Sequence, residues 1–378
     1  MKSVSRRFLA FALLCLFGAS ASRAENGVAA GHILLGQSVV LSGPMAENGV
    51  YYTQGIKIHL DQINAKGGVH GRKLDLITLD DAYDPKRTAQ NTQKLIDEDK
   101  VFALFGYAGT GSAMAALPLV EKAQIPFIAP YTGSDGLRKP NRWVFHLRAS
   151  YGDEMMKMVE QLVTVGVRDI AIAYQDDNFG KAGMKSAEEA LAKFKLKAAA
   201  LGPIDTTSFD ARKPAENIAQ AKPGAILMAT AGKASIAFVR EYLKTGQHPQ
   251  FFGLSVVSAA DLRRELKGDA TGMVIAQVVP SPWSSKYAVV RQYREALAKA
   301  GQKELHHAGM EGYIAAKVLV EGLRRAGKDL TREKLVAALE SMRNLDLGDF
   351  VIDYAPAKHV GSAFVDLSIV SGSGQFVQ

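Results

Sequence analysis

The 378-residue chain contains one cysteine, Cys15. It falls in an N-terminal stretch that reads as a cleaved leader. The rest of the chain therefore has no disulfide, no thiolate metal site and no cysteine nucleophile. Long apolar runs are missing as well. The one sustained run, Phe8 to Gly18, falls short of the roughly 20 residues that span a bilayer. Blocks of like charge are absent too. The densest basic clusters are Arg263-Arg264 and Arg324-Arg325, with no aromatic residues interleaved, which excludes nucleic acid as a partner and reads as solvated helix faces.

What is present is globular in character: 47% of residues are hydrophobic and 22% charged. The length suits two domains rather than one. The 35 glycines fit a fold rich in tight strand-to-helix turns. The leader begins with Lys2, Arg6 and Arg7, continues through the apolar run, and ends at Ser22-Arg23-Ala24. Residues 1–24 read as a secretory signal cut after Ala24, with Ala21 as the second site. Arg6-Arg7-Phe8-Leu9 approximates a twin-arginine signal with imperfect spacing, so the export route stays open. Cys15 follows Leu14 rather than a small residue, which argues against a lipoprotein. A leader on a chain that needs no disulfide points to the bacterial periplasm. The formal charge is +8; Lys2, Arg6, Arg7 and Arg23 lie in the leader without any acid, leaving +4.

Apolar runs and helical periodicities alternate twice, over 32–129 and 170–255. The first copy reads His32–Val39 strand, Leu41-Ser42-Gly43-Pro44 turn, Gly49–Ala65 helix, Leu74–Leu79 strand and Lys86–Glu98 helix. It closes on the stretch 101–137: strand Val101–Phe105, a small-residue loop 106–112, helix 113–123, strand Ile125–Ala129 and the loop Pro130-Tyr131-Thr132-Gly133-Ser134. Strand, helix and parallel strand form a right-handed crossover, so both loops fall at one sheet edge. That edge offers N–H groups and hydroxyls beside a helix N-terminus, a place that attracts an anion. The second copy reads strands Ile170–Tyr174, Ala225–Met228 and Phe251–Leu254, each followed by a polar loop. Met273–Val278 is extended; helices at Tyr287–Ala300, Met310–Ala326 and Arg332–Ser341 follow, then short strands at Phe350–Ile352 and Phe364–Val370. This helical return implies that the chain crosses between its halves more than once.

No catalytic constellation assembles, and the chain reads as a non-enzyme. The nucleophile elbow G-x-S-x-G is absent; Gly109-Thr110-Gly111-Ser112-Ala113 ends in alanine. Gly106, Gly109 and Gly111 have the wrong order for a dinucleotide loop, and no cofactor is implied. Tyr354 and Lys358 match a dehydrogenase spacing, but Pro356 forbids the helix that chemistry needs. His306-His307 point apart on a helix, which excludes a chelate, and read as a solvated loop. Asp80-Asp81 and Asp176-Asp177 read as turn acids and caps, with a ligand or cation role left open.

Four features together resemble a known family. They are the leader; Gly36-Gln37-Ser38 with Leu41-Ser42-Gly43-Pro44; the run Asn64-Ala65-Lys66-Gly67-Gly68-Val69-His70-Gly71-Arg72-Lys73-Leu74; and Phe105-Gly106 with Ile125-Pro126-Phe127-Ile128-Ala129-Pro130. Gln175-Asp176-Asp177, Phe179-Gly180 and Glu311-Gly312-Tyr313 fit too. The chain resembles the leucine/isoleucine/valine-binding branch of type I periplasmic binding proteins, the solute receptors of ABC importers.

That resemblance implies an α/β fold of two doubly wound parallel-sheet lobes joined by a three-segment hinge. Crossings would fall near His146–Ser150, Ala276–Pro280 and Gly348–Asp353. Lobe one would take 27–146 plus 281–347, lobe two 147–280 plus 348–378. A monomer would close on a small-molecule solute and present itself to an importer permease. The alternative is a ligand-sensing module of the same fold that feeds a regulatory partner. The family's carboxylate-holding roles fall on Thr110, through its hydroxyl, and on Tyr131 and Gly133, through backbone groups, with Thr132 between them also a ligand-binding residue. Asn48 would stand at the lobe-one wall, Phe179 would press from lobe two, and Tyr107 and Ser255 would face the cleft. Ser255 stands where amino-acid receptors carry a glutamate for the ligand ammonium. The resemblance therefore implies a carboxylate or neutral solute without an α-ammonium, unless Asp135 or Asp177 takes the glutamate's place.

Overall fold

The computed structural model describes residues 25–43, 45–371 and 376–377. The leader at 1–24 and Pro44 of the first turn lie outside the described residues.

The first lobe is built on β1 (His32–Val39), α1 (Ala46–Ala65), β2 (Lys73–Asp80), α2 (Pro85–Asp97), β3 (Ala103–Phe105), α3 (Thr110–Ala123), β4 (Phe127–Ile128) and β5 (Val144–Phe145). Its five strands are all parallel, in the order β2-β1-β3-β4-β5. β3 is buried along its whole length, as helices on both faces of a parallel sheet require. The expected strand–helix–strand crossover over 103–128 is present, with Leu104 opposite Phe127.

The second lobe contains α4 (Tyr151–Thr164), β6 (Ile170–Gln175), α5 (Asn178–Lys193), β7 (Leu201–Ile204), α6 (Arg212–Gln220), β8 (Ala225–Ala229), α7 (Gly232–Leu243), β9 (Gln250–Gly253), α8 (Ala259–Leu266) and β10 (Val274–Gln277). Then α9 (Ala288–Lys299), α10 (His307–Ala326), α11 (Arg332–Glu340) and the hairpin β11 (Leu345–Asp346) and β12 (Val351–Ile352) pack on the first lobe. Finally β13 (Asp366–Val370) and β14 (Phe376–Val377) return to the second sheet, whose order is β14-β13-β10-β9-β8-β6-β7. β13 runs antiparallel to β10.

Three passages join the lobes. The first follows β5, and the second follows β10. The third comes after β12, where His146 N–H donates to His359 O and Gly361 N–H donates to His146 O. This is later than the expected Gly348–Asp353: Gly348 and Asp349 bond to Val289 and Ala288 of the first lobe.

Helix starts follow local chemistry. Asp84 caps α2 with Pro85 at its first position. Ser150 and Asp153 form a capping box at α4. α1 and α10 cross with almost no gap: a Cβ on Gly55 would lie 1.9 Å from Gly309 O, and one on Gly312 2.1 Å from Tyr52 O. Only glycine permits that approach.

Candidate functional site

The site forms where the C-terminal edges of the two sheets face each other. On the first lobe, β3 and β4 end side by side, and their loops stay paired through a parallel bridge between Ala108 and Tyr131. Tyr131 N–H donates to Tyr107 O at 2.7 Å, and Gly109 N–H to Tyr131 O at 3.3 Å. Gly109 has φ +106°, and a Cβ there would lie 2.7 Å from the Tyr83 ring. Glycine is thus required at the turn into α3. α3 starts at Thr110, three residues before the expected Ala113, so Thr110 is its first helical residue. Its hydroxyl lies 2.8 Å from the Thr132 hydroxyl. The N–H groups of the first turn have no partner within the helix.

On the second lobe, β6 leads into α5 through Asp177, whose carboxylate accepts from Gly180 N–H at 2.8 Å. Phe179 follows, its ring 5.5 Å edge-on from Tyr151. Asn48, in the first turn of α1, reaches across and donates to Val256 O at 2.6 Å.

Between these groups lies a narrow cavity of about 30 Å³. Tyr83, Tyr131, Tyr151 and Phe179 supply aromatic walls, and Val40 and Val256 supply aliphatic ones. Asn48 and Thr110 are its polar side chains. Of the eight residues singled out in the sequence, Asn48, Thr110, Tyr131 and Phe179 therefore line one cavity. Thr132 and Gly133 sit directly behind it. Gly133 O accepts from Tyr151 N–H at 2.6 Å, and a Cβ on Gly133 would lie 2.5 Å from the Tyr151 ring. Burial raises the Tyr151 phenol; Arg148 opposes that shift, as do hydrogen bonds from the Thr132 hydroxyl and the Gly133 N–H.

Two expected cleft residues lie elsewhere. Ala108 lines the pocket, so its neighbour Tyr107 points to the opposite face of the extended segment. The Tyr107 ring packs 5.0 Å from Phe127, and its hydroxyl lies 3.1 Å from that of Thr92, inside the first lobe. Ser255 is turned away from the pocket into a buried ionic cluster. Its N–H and hydroxyl both donate to Glu154, at 2.7 and 2.9 Å, and Arg148 donates to the Ser255 hydroxyl oxygen.

Arg148 was invisible in the sequence. It is fully buried, pairs with Glu154 at 3.6 Å and Glu311 at 3.7 Å, and lies 4.7 Å over the Tyr131 ring. Burial raises both carboxyls against the pull of Arg148, Glu311 to about 7. The arginine stays charged, since the two glutamates outweigh its own desolvation. The one sequence hint was Glu311 itself, a lone acid among the small and apolar residues of 308–316.

The remaining candidates resolve as follows. Asp80 and Asp81 are turn acids: Asp80 accepts from Leu41 and Ala82 N–H, and Asp81 from Tyr83 N–H and the Ser38 hydroxyl. His306 and His307 are not solvated, with 6% and 8% exposure. His306 caps α10 through Nδ1, stacks on Tyr51 and contacts Glu47. Glu47 also bonds Ser258 and pairs with Arg264 at 3.3 Å, closing the mouth between the lobes. Among the described residues, no group of three His, Cys, Asp or Glu side chains is placed to hold a metal, and no helix is long and apolar enough to cross a membrane.

Known proteins share this architecture. The family model described as "Periplasmic binding protein" matches residues 32–367. The Leu/Ile/Val-binding protein homolog 7 of Brucella abortus (strain 2308) is 23% identical over 330 residues, covering 82% of each chain. The structure of a possible leucine/isoleucine/valine-binding protein from Rhodopirellula baltica SH 1 is 29% identical, with a TM-score of 0.88 over 94% of this chain and 98% of that one. A substrate-binding periplasmic protein from Ralstonia solanacearum is 30% identical, with a TM-score of 0.86 over 92% and 99%. By name, these relatives bind solutes or substrates.

Proposed function

Because the chain belongs to the periplasmic binding protein family, in its Leu/Ile/Val-binding branch, we propose that it is the substrate-binding component of an ABC importer. In this reading it works in the periplasm after removal of residues 1–24. It holds one small carboxylate or amino-acid-like solute between its lobes and offers the closed form to a permease. The solute carboxylate is received by the Thr110 hydroxyl and the first N–H groups of α3, with Gly133 holding the Tyr151 hydroxyl behind them. Charge-assisted bonds of this kind contribute about 1.5–3 kcal/mol each. Asn48 and Phe179 close over the solute, and the hinge divides the chain after 146, 280 and 361.

One observation supports the proposal: residues of both lobes, Thr110 among them, line one pocket at the paired sheet edges. The lobes need only rotate about the three passages to open it.

The test is to purify the mature chain without refolding, denature it and identify released compounds by mass spectrometry. Added back, such a compound is expected to shrink the radius of gyration in X-ray scattering, and Thr110→Val is expected to weaken its binding by at least tenfold. Release of nothing, together with no response to a metabolite library, would sink the receptor reading.

A further inference from the structure

Resting on that receptor reading, we infer that the solute is an aromatic monocarboxylate without an ammonium group. An α-ammonium brings a full positive charge into the pocket and needs an anionic partner there, because an unpaired buried charge costs several kcal/mol. No carboxylate lines the pocket.

Every nearby acid is committed elsewhere. Glu154 is the acid closest to position 255, where a glutamate would act on an ammonium. Both its oxygens are taken by Ser255, and its charge is set against Arg148. Glu311 faces the same guanidinium from α10. Asp177 caps α5 and accepts from the Gln175 amide. Asp135 accepts from Gly152 N–H and the Ser186 hydroxyl, on the outside of α4. Asp135 thus holds α4 and α5 together, and Asp177, which caps α5, borders the adjoining cavity rather than this one. Carbonyls at the pocket are engaged too: Val256 O accepts from Asn48, and Tyr131 O from Gly109 N–H.

The donors tell the opposite story. Thr110, the first residue of α3, lines the cavity and brings the positive end of that helix to it. That end takes an anion. The body of the cavity is bounded by four aromatic rings contributed from both lobes, and flat rings pack edge-to-face or offset against such walls. A ring carrying one carboxylate satisfies both halves of the site.

Matched pairs differing only in the ammonium decide the matter by titration calorimetry on the mature protein. The pairs are phenylacetate with phenylglycine, and 3-phenylpropanoate with phenylalanine; 4-methylpentanoate and leucine serve as the aliphatic pair. Each aryl acid is expected to bind at least 100-fold more tightly than its amino-acid partner, and 3-phenylpropanoate more tightly than 4-methylpentanoate. Equal or tighter binding of the amino acids overturns the inference while leaving the receptor reading intact. A stronger aliphatic acid, or no binding by any of the acids, overturns it as well. The receptor reading itself stands or falls on the compounds released from the native protein.

Discussion

Arg332 shows how one side chain joins distant parts of the first lobe. From the start of α11 it donates to Phe102 O at 3.0 Å, Ala123 O at 3.0 Å and Val101 O at 2.9 Å. Replacing it by methionine keeps the apolar stem and strips three carbonyls of a charged donor. We expect a loss of about 3 kcal/mol, since each unsatisfied buried group costs roughly 1–3 kcal/mol. Urea titration reads it as a lower midpoint at unchanged slope. Glu311 gives a pH-dependent counterpart. Burial holds its carboxyl at about 7, against 4.5 ordinarily. Between those values the folded chain keeps a proton that the unfolded chain has lost, so stability falls as pH rises through 4.5–7. In Glu311→Gln that fall disappears. The variant's melting temperature relative to the parent is expected to climb from pH 4.5 to 7 and then level off. The slope is the readout, because the lost pairing with Arg148 adds a constant offset. The sequence exposed Glu311 as an odd acid in an apolar run but not its partners. Arg148 and Glu154 lie 163 and 157 residues away, and no local pattern encodes that distance.

At the scale of elements, the α1–α10 crossing is the tightest joint. Gly312→Ala places a methyl 2.1 Å from Tyr52 O, so the helices must separate. Overpacking of this kind costs about 1–3 kcal/mol and sometimes more. Thermal unfolding is expected to shift down by several degrees, whereas Gly67→Ala, at a helix end with open space around it, strains only its own backbone. Long elements such as β1, α1 and α10 were legible in the sequence, because their length and apolar content set them apart from the loops around them. Besides the two-residue strands β11 and β14, three elements were missed, each for a physical reason. β7 contains Gly202 and Pro203, which deny it a strand signature; it survives because it is the edge strand of its sheet, where a missing N–H costs nothing. α6 carries Pro214 in its first turn and buries only Ala215, Ile218 and Ala219. α8 has eight residues, too few for a periodicity, although Ser258-x-x-Asp261 announces its start and Ser258 does accept from Asp261 N–H. In the site, the loop residues with small side chains were legible as an anion-receiving edge. The facing of Tyr107 was not, since a one-residue change in phase along an extended loop reverses which side chain looks into the cleft.

The whole molecule has an acid limit written into its buried histidines. Burial lowers His59, His146 and His307 to about 3 each, with Arg138 adding to the effect at His146. All three stay neutral in the folded chain and charge near 6.5 once it unfolds. Their contribution is complete above pH 6.5 and is lost as pH falls towards 3. Glu311 and Asp261, both raised to about 7, act in the opposite sense. Glu154, Asp81 and Asp177 are raised as well; the histidines act only below 6.5, and only the raised carboxyls act just above it. Maximal melting temperature is therefore expected near pH 6.5, with a decline into acid; scans from pH 4 to 8 check it, and a maximum below pH 5 would contradict it. Closure has its own cross-lobe contact in Asn48, whose bond to Val256 O is made by protein groups alone. Asn48→Ala is expected to favour the open shape, seen as a larger radius of gyration and a faster ligand off-rate. Finally, β13 sits beside β10 although about ninety residues of first-lobe and connecting chain lie between them. During synthesis the second sheet thus remains one border short until the chain has grown past Val370, and a nascent molecule must carry that unpaired row of amides, open to any passing strand, for about ninety residues after β10 is made.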